Sequence, residues 1–329
     1  MYGRIIQWKC LVFSALLVLL ICQTVFAQSG DYPTKPIKVV VTFPPGGSSD
    51  AIIRILSTRL NDKLGYPLVL ENRPGAGGNI GLSIVAKAAP DGYVLGVGAA
   101  GGLTANVNLY PQMPFDVAKD FAPITMLASI PFVLVGHPSV PADNLQQLIA
   151  LAKAQPGKVS IGHGGNGTAM HLSTALFSQM ADVKLIEVPY RGSGPAAMDT
   201  LSGQIQLSIT DLAAALPHIK AGKLKAFAVT SPKRLINLPE VPTMSESGLT
   251  GYDSTGWFGL VAPVGTSPQI IQRLHAEFTA ALNDESIKSQ MRQNGMEPIA
   301  TSVENFDAYI KSETQKWARV IRQANIKLN

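Results

Sequence analysis

Three glycine-rich loops hold most of the residues in this chain that could grip a ligand. Each follows an apolar run and precedes a helical pattern. The first is Pro44-Pro45-Gly46-Gly47-Ser48-Ser49-Asp50. Gly46 and Gly47 carry no Cβ, so main-chain N–H groups can approach a guest closely, and the following helix presents unpaired donors at its positive end. An anion suits that chemistry. The same residues also make an ordinary helix start, with Ser48 or Ser49 as N-cap and Asp50 in the first turn.

The second loop is Gly162-His163-Gly164-Gly165-Asn166-Gly167-Thr168. Gly162, Gly164 and Gly167 match the dinucleotide pattern G-x-G-x-x-G, with Glu187 twenty residues beyond Gly167. The match is a decoy, because it sits mid-chain in a protein expected to be exported, away from nicotinamide cofactors. Asn166 and Thr168 are instead expected to face a small ligand, and His171 to be packed or hydrogen-bonded. The third loop is Tyr190-Arg191-Gly192-Ser193-Gly194-Pro195-Ala196-Ala197. Pro195 suits a first helical turn, and Gly192, Ser193 and Gly194 again expose backbone donors. Arg191 offers a bidentate carboxylate contact or a surface salt bridge. Asp211 either lines the same cleft or caps the next helix.

The elements that must position these loops alternate. Residues 37–43 read as a buried strand. A helix follows with Ile52, Ile53, Leu56, Leu60 and Leu64 on one face, closed by Gly65. Strand 68–70, a helix ending at Ala88 and strand 93–97 complete a β-α-β-α-β unit with a parallel sheet. Helices 144–154, 170–180, 195–201 and 213–221 then alternate with strands 158–161, 184–188, 205–209 and 224–230. Two apolar stretches, 122–135 and 257–261, stand between the blocks as segments that could pass from one lobe to another. Helices 268–282, 285–294 and 303–324 close the chain, the last with Phe306, Tyr309, Ile310, Trp317, Val320 and Ile321 on one face. Ligands of such sheets sit beyond the strands' carboxyl ends, where these loops fall.

Near the N-terminus, Arg4 and Lys9 precede a largely apolar run at 11–21, shorter than the roughly 20 residues that span a bilayer. Val25 and Ala27 fit signal-peptidase processing, so cleavage is expected after Ala27 and the mature protein in the periplasm. Both cysteines, Cys10 and Cys22, lie in this leader. The mature chain then has no disulfide, no thiolate nucleophile and no cysteine–metal site. It keeps 25 basic residues against 22 acidic, a net of +3, without a basic block or zinc-finger spacing. Nucleic acid is not an expected partner.

At these loops the chain resembles the Bug-type substrate-binding proteins of tripartite tricarboxylate transporters. The resemblance spans the mature chain. It rests on Tyr32-Pro33-Thr34-Lys35-Pro36-Ile37, Phe43-Pro44-Pro45-Gly46-Gly47-Ser48-Ser49-Asp50 and Glu71-Asn72-Arg73-Pro74-Gly75-Ala76-Gly77-Gly78. Further on come Ala89-Pro90-Asp91-Gly92-Tyr93, Pro189-Tyr190-Arg191-Gly192, Leu238-Pro239-Glu240-Val241-Pro242-Thr243 and Trp257-Phe258-Gly259. It implies an α/β fold of the type II-like, two-lobe periplasmic kind, each lobe a mainly parallel sheet flanked by helices. Residues 31–128 with 254–329 form a discontinuous first lobe, and 129–253 the second.

The resemblance further implies that Gly46, Gly47, Ser48, Ser49 and Asp50, with Arg191, Gly192, Ser193, Pro195 and Ala196, hold a small carboxylate through main-chain donors and bridging waters. Asn166, Thr168 and Asp211 would read the rest of the ligand. No cofactor or metal is implied; the partners are a small organic anion and membrane permease subunits, and the protein is expected to be a monomer. One alternative keeps the binding chemistry but serves a signalling partner. Another, an exported hydrolase using Ser48 or Ser193 with His163, His171 or Asp211, has no G-x-S-x-G elbow.

Overall fold

The computed structural model describes residues 32–323 and residue 326. The expected leader, its cleavage point and residue 324 of the last expected helix lie outside the described residues. Residues 1–34 and 35–329 separate as two units, and the architecture below is that of the second.

The chain opens with β1 (Ile37–Val41), α1 (Ser48–Leu64), β2 (Leu68–Asn72), α2 (Asn79–Ala86) and β3 (Val94–Ala99). Ile52, Ile53, Leu56, Leu60 and Leu64 are all buried, and Gly65 ends α1 in the left-handed region at φ 72°. A π-helical turn at Gly101–Ala105 and the short α3 (Val117–Asp120) follow; neither has enough apolar periodicity to be read in advance. The apolar stretch 122–135 becomes two strands, β4 (Phe121–Ile130) and β5 (Phe132–Gly136), which meet at Pro131 and belong to different sheets. There follow α4 (Leu145–Ala154), β6 (Ser160–His163), α5 (Ala169–Ala181), β7 (Ile186–Pro189), α6 (Ser193–Leu201), β8 (Leu207–Asp211), α7 (Leu212–Lys220) and β9 (Lys225–Val229). The chain ends with β10 (Gly256–Pro263), α8 (Pro268–Leu282), α9 (Glu285–Gln293), β11 (Glu297–Pro298) and α10 (Val303–Gln323).

Two sheets result, in the orders β11-β4-β10-β3-β1-β2 and β7-β6-β8-β5-β9. The expectation of mainly parallel sheets holds for one half of each. β2, β1 and β3 run parallel, as do β7, β6 and β8. The crossing strands β4 and β10 pair antiparallel, and so does β5 with both its neighbours. β4 and β5 form one nearly continuous run, so β5 enters the second sheet without a crossover helix to align it with β8.

The last helix covers the first sheet. Phe306, Ile310, Trp317 and Ile321 are buried, the Phe306 ring standing edge-on 5.8 Å from Trp257. Gly259 on β10 lies under that ring, where a Cβ would overlap it. Among the described residues no helix is long and apolar enough to cross a membrane.

Candidate functional site

Gly47, and neither serine, occupies the N-cap of α1, with no side chain capping the helix. Ser48 and Ser49 are therefore its first helical residues, and none of the described residues accepts from their N–H groups. Gly46 turns the chain at φ +85°. Asp50 points back into the loop: it accepts from Gly46 N–H at 3.2 Å, Arg54 Nε at 2.7 Å and Asn72 Nδ2 at 3.2 Å. Burial raises the Asp50 carboxyl, but these donors outweigh it and hold it below the ordinary aspartate value.

α6 starts the same way. Gly192, at φ 110°, is its N-cap and no side chain caps it. α7 differs, since Asp211 is its N-cap and Oδ1 accepts from Ala214 N–H at 3.0 Å. The other oxygen of Asp211 accepts from Ser48 Oγ and Ser193 Oγ, each at 2.8 Å. Both uses considered for Asp211 occur at once, and it ties the first loop to the third.

Three helix starts thus converge on a cavity of about 260 Å³. Nine of the expected residues line it: Gly46, Gly47, Ser48, Ser49, Arg191, Gly192, Ser193, Pro195 and Asp211. Ser49 Oγ is buried without a hydrogen-bond partner, and the residue is only 1% exposed. A buried, unpaired hydroxyl is costly, and here it stands beside unpaired main-chain donors. Together they present donors to an anion while Arg191 supplies the cation among the lining residues.

Four expected residues stand elsewhere. Asp50 is turned into its own loop, as above. Ala196 is fully buried on the inner face of α6, and its neighbour Ala197 lines the cavity instead. Thr168 caps α5: its hydroxyl accepts from His171 N–H and donates to Gly165 O. Asn166 accepts through its carbonyl from the Tyr110 hydroxyl at 3.3 Å and faces a different hollow. Sequence reasoning did not assign the apolar walls, Phe43, Met170, Met198 and Phe258, or the Ala213 and Ala214 turn of α7. Phe43, in the loop after β1, and Phe258 on β10 meet edge-on at 6.0 Å, a pairing no local pattern announces.

The hollow that Asn166 faces, about 850 Å³, also holds Glu187, the acidic residue of the dinucleotide-like pattern. Its Oε2 lies 3.6 Å from Nε2 of both His163 and His171. One nitrogen or oxygen from each of the three lies within 4.8 Å of the others, a spacing that a metal could use. The tautomers oppose it. His163 Nδ1 accepts from Gly165 N–H at 3.2 Å and His171 Nδ1 from Gly167 N–H at 3.3 Å. An imidazole accepting at Nδ1 carries its proton on Nε2, whereas a histidine bound to metal through Nε2 donates from Nδ1. Burial, reinforced by the His163 ring, pushes His171 down to about 4, against the opposite pull of Glu187. The two buried histidines and the exposed Glu187 form a polar support for the second loop.

Comparison with known proteins places these features among solute receptors. Residues 52–326 match the family described as "Tripartite tricarboxylate transporter family receptor". The chain is 39% identical to Protein BugT of Bordetella pertussis over 298 residues, covering 90% of this chain and 91% of that one. Among solved structures, an R. palustris protein with adipate aligns at TM-score 0.87 and 35% identity, over 90% of this chain and 99% of the other. The periplasmic binding protein BugD aligns at 0.85 and 33%, over 90% and 99%. MatC from Rhodopseudomonas palustris with bound malate aligns at 0.83 and 30%, over 88% and 100%.

Proposed function

Because the chain belongs to the tripartite tricarboxylate transporter family of receptors, a family of solute-binding proteins and not of enzymes, we propose that its cleft binds a small organic carboxylate and hands it to a membrane permease. One observation carries the reading. Ser49 Oγ is buried and unpartnered in the uncapped first turn of α1, and Ser49 lines a cavity that the uncapped start of α6 also lines. An oxyanion there completes the hydroxyl, takes up main-chain N–H groups and gains from both helix dipoles without needing a buried lysine. The relatives solved with adipate and with malate support a carboxylate guest.

In this reading residues 31–128 with 254–329, and residues 129–253, are lobes that close on the ligand. The bond from Ser48 to Asp211 is a contact of the closed form. Ligand contacts to both lobes favour closure, and a permease recognises the closed receptor. The leader is removed after Ala27, and the mature protein works as a monomer in the periplasm.

The test is a thermal-shift and calorimetric screen of residues 28–329 against mono-, di- and tricarboxylates, amino acids and aromatic acids. A ligand at a hundred times its Kd stabilises by about 2.7 kcal/mol, a shift of several degrees. Ser49→Ala should then weaken the best carboxylate by about 1.5–3 kcal/mol, roughly ten- to hundredfold, while the melting temperature of the free protein rises, since a buried unpaired hydroxyl is removed. No response from any carboxylate, or full affinity in Ser49→Ala, overturns the reading.

A further inference from the structure

Hydroxyl protons around the cleft are already committed, and that determines what the ligand must carry beside its carboxyl group. Three serines line the cavity. Ser48 and Ser193 both give their protons to Asp211 Oδ2, at 2.8 Å each. A serine hydroxyl has one proton and two lone pairs, so these two oxygens turn only lone pairs toward a guest. Asp211 accepts all three of its contacts and has nothing to donate. Of the three serine protons only that of Ser49 is unassigned.

Acceptors therefore sit directly beside donors. The N–H and the lone-pair-bearing Oγ belong to the same residue at Ser48, and again at Ser193. A plain carboxylate answers the N–H groups but sets its own lone pairs against those of Asp211 and the two hydroxyls. A carboxylate whose neighbouring carbon bears an O–H or N–H satisfies both sets within the reach of one carbon–carbon bond. Apolar walls from Phe43, Met170, Met198 and Phe258 leave the rest of the cavity to hydrocarbon, with Arg191 at its margin.

We propose that the cleft selects 2-hydroxy or 2-amino carboxylates over their unsubstituted counterparts, and that Asp211, with the Ser48 and Ser193 hydroxyls it orients, reads the donor on the second carbon. This rests on the carboxylate reading of the same cleft. A site built around hydrogen-bond partners discriminates against an analogue lacking them, since its own buried groups are then left unpaired.

Calorimetric titration with matched sets tests it: adipate, 2-hydroxyadipate and 2-aminoadipate; succinate, malate and aspartate; 3-phenylpropanoate, phenyllactate and phenylalanine. In the set that binds best, a substituted acid should bind at least tenfold tighter than the unsubstituted one. Asp211→Asn, which keeps an oxygen for the Ala214 N–H, should bring that ratio below threefold. Ser49→Ala should weaken all members of the set alike and keep the ratio. If Asp211→Asn does not fold, the Ser48→Ala/Ser193→Ala double variant reads the same ratio. Preference for the amino member points to the Asp211 charge, and for the hydroxy member to the acceptor oxygens; either supports the proposal. An unsubstituted acid that binds as tightly in the best set, or a ratio intact in Asp211→Asn, overturns this inference and leaves carboxylate binding standing. Absence of binding by all nine acids removes both.

Discussion

Asp50 and His171 each hold a glycine-rich loop in shape through a side-chain hydrogen bond. Asp50 locks the turn that exposes Ser48 and Ser49, and His171 holds the N–H of Gly167 in the second loop. Both groups sit below their ordinary values in the folded chain, so in both cases the unfolded chain binds its proton first and stability falls with pH. The windows differ. For His171 stability is complete above its ordinary value of 6.5 and declines as pH falls toward about 4. For Asp50 the decline begins only near and below 3.8 and runs to the depressed folded value. The melting temperature should therefore drop in two stages on acidification. Asp50→Asn should cost stability at pH 7 but remove the lower stage, and His171→Gln should flatten the upper one. Melting curves from pH 8 down to about pH 2 cover both windows; a variant that keeps its stage shows that another group is responsible.

At the scale of elements, the second loop acts as a contact between the two halves of the fold. Gly101, in the π-helical turn after β3, lies against the Gly167 carbonyl, and a Cβ there would overlap that oxygen. Backbone meets backbone, so neither side can yield by rotating a side chain. Gly101→Ala should oppose this approach by about 1–3 kcal/mol, the cost of overpacking. Ligand affinity should fall roughly five- to hundredfold if the contact belongs to the closed form. Small-angle scattering should show the variant less compact than wild type at the same ligand occupancy. Equal affinity and equal compaction would mean that the contact is not made on closure.

For the molecule as a whole, the chain leaves the first sheet after β4 and returns to it at β10, so the last helices must dock on a sheet begun two hundred residues earlier. α10 does so through Phe306, which fills the space over Gly259 and packs against Trp257. Its burial is complete. Phe306→Ala should lower unfolding stability by about 3–5 kcal/mol in a denaturant titration. The whole fold should feel the loss, because both crossing strands sit in that sheet. A change under 1 kcal/mol would show that α10 is not needed to hold the first sheet.

Local chemistry was legible in the sequence. The glycine-rich turns, the apolar faces of α1 and α10 and the alternation of strands and helices follow from residue type and spacing, which act over a few positions. Nine of the expected residues come to line one cavity because a strand, a glycine turn and a helix start leave little choice about which N–H groups are exposed. Three decisions lay beyond that reach. Gly47, not a serine, became the N-cap, leaving Ser49 Oγ buried without a partner. Asp50 turned inward because Arg54 and Asn72 offered it hydrogen bonds. Asp211 met Ser48 across 163 residues and took the proton of its hydroxyl. Proton ownership and cavity walls depend on which distant groups arrive within about 3 Å, and only the tertiary packing of two sheets decides that.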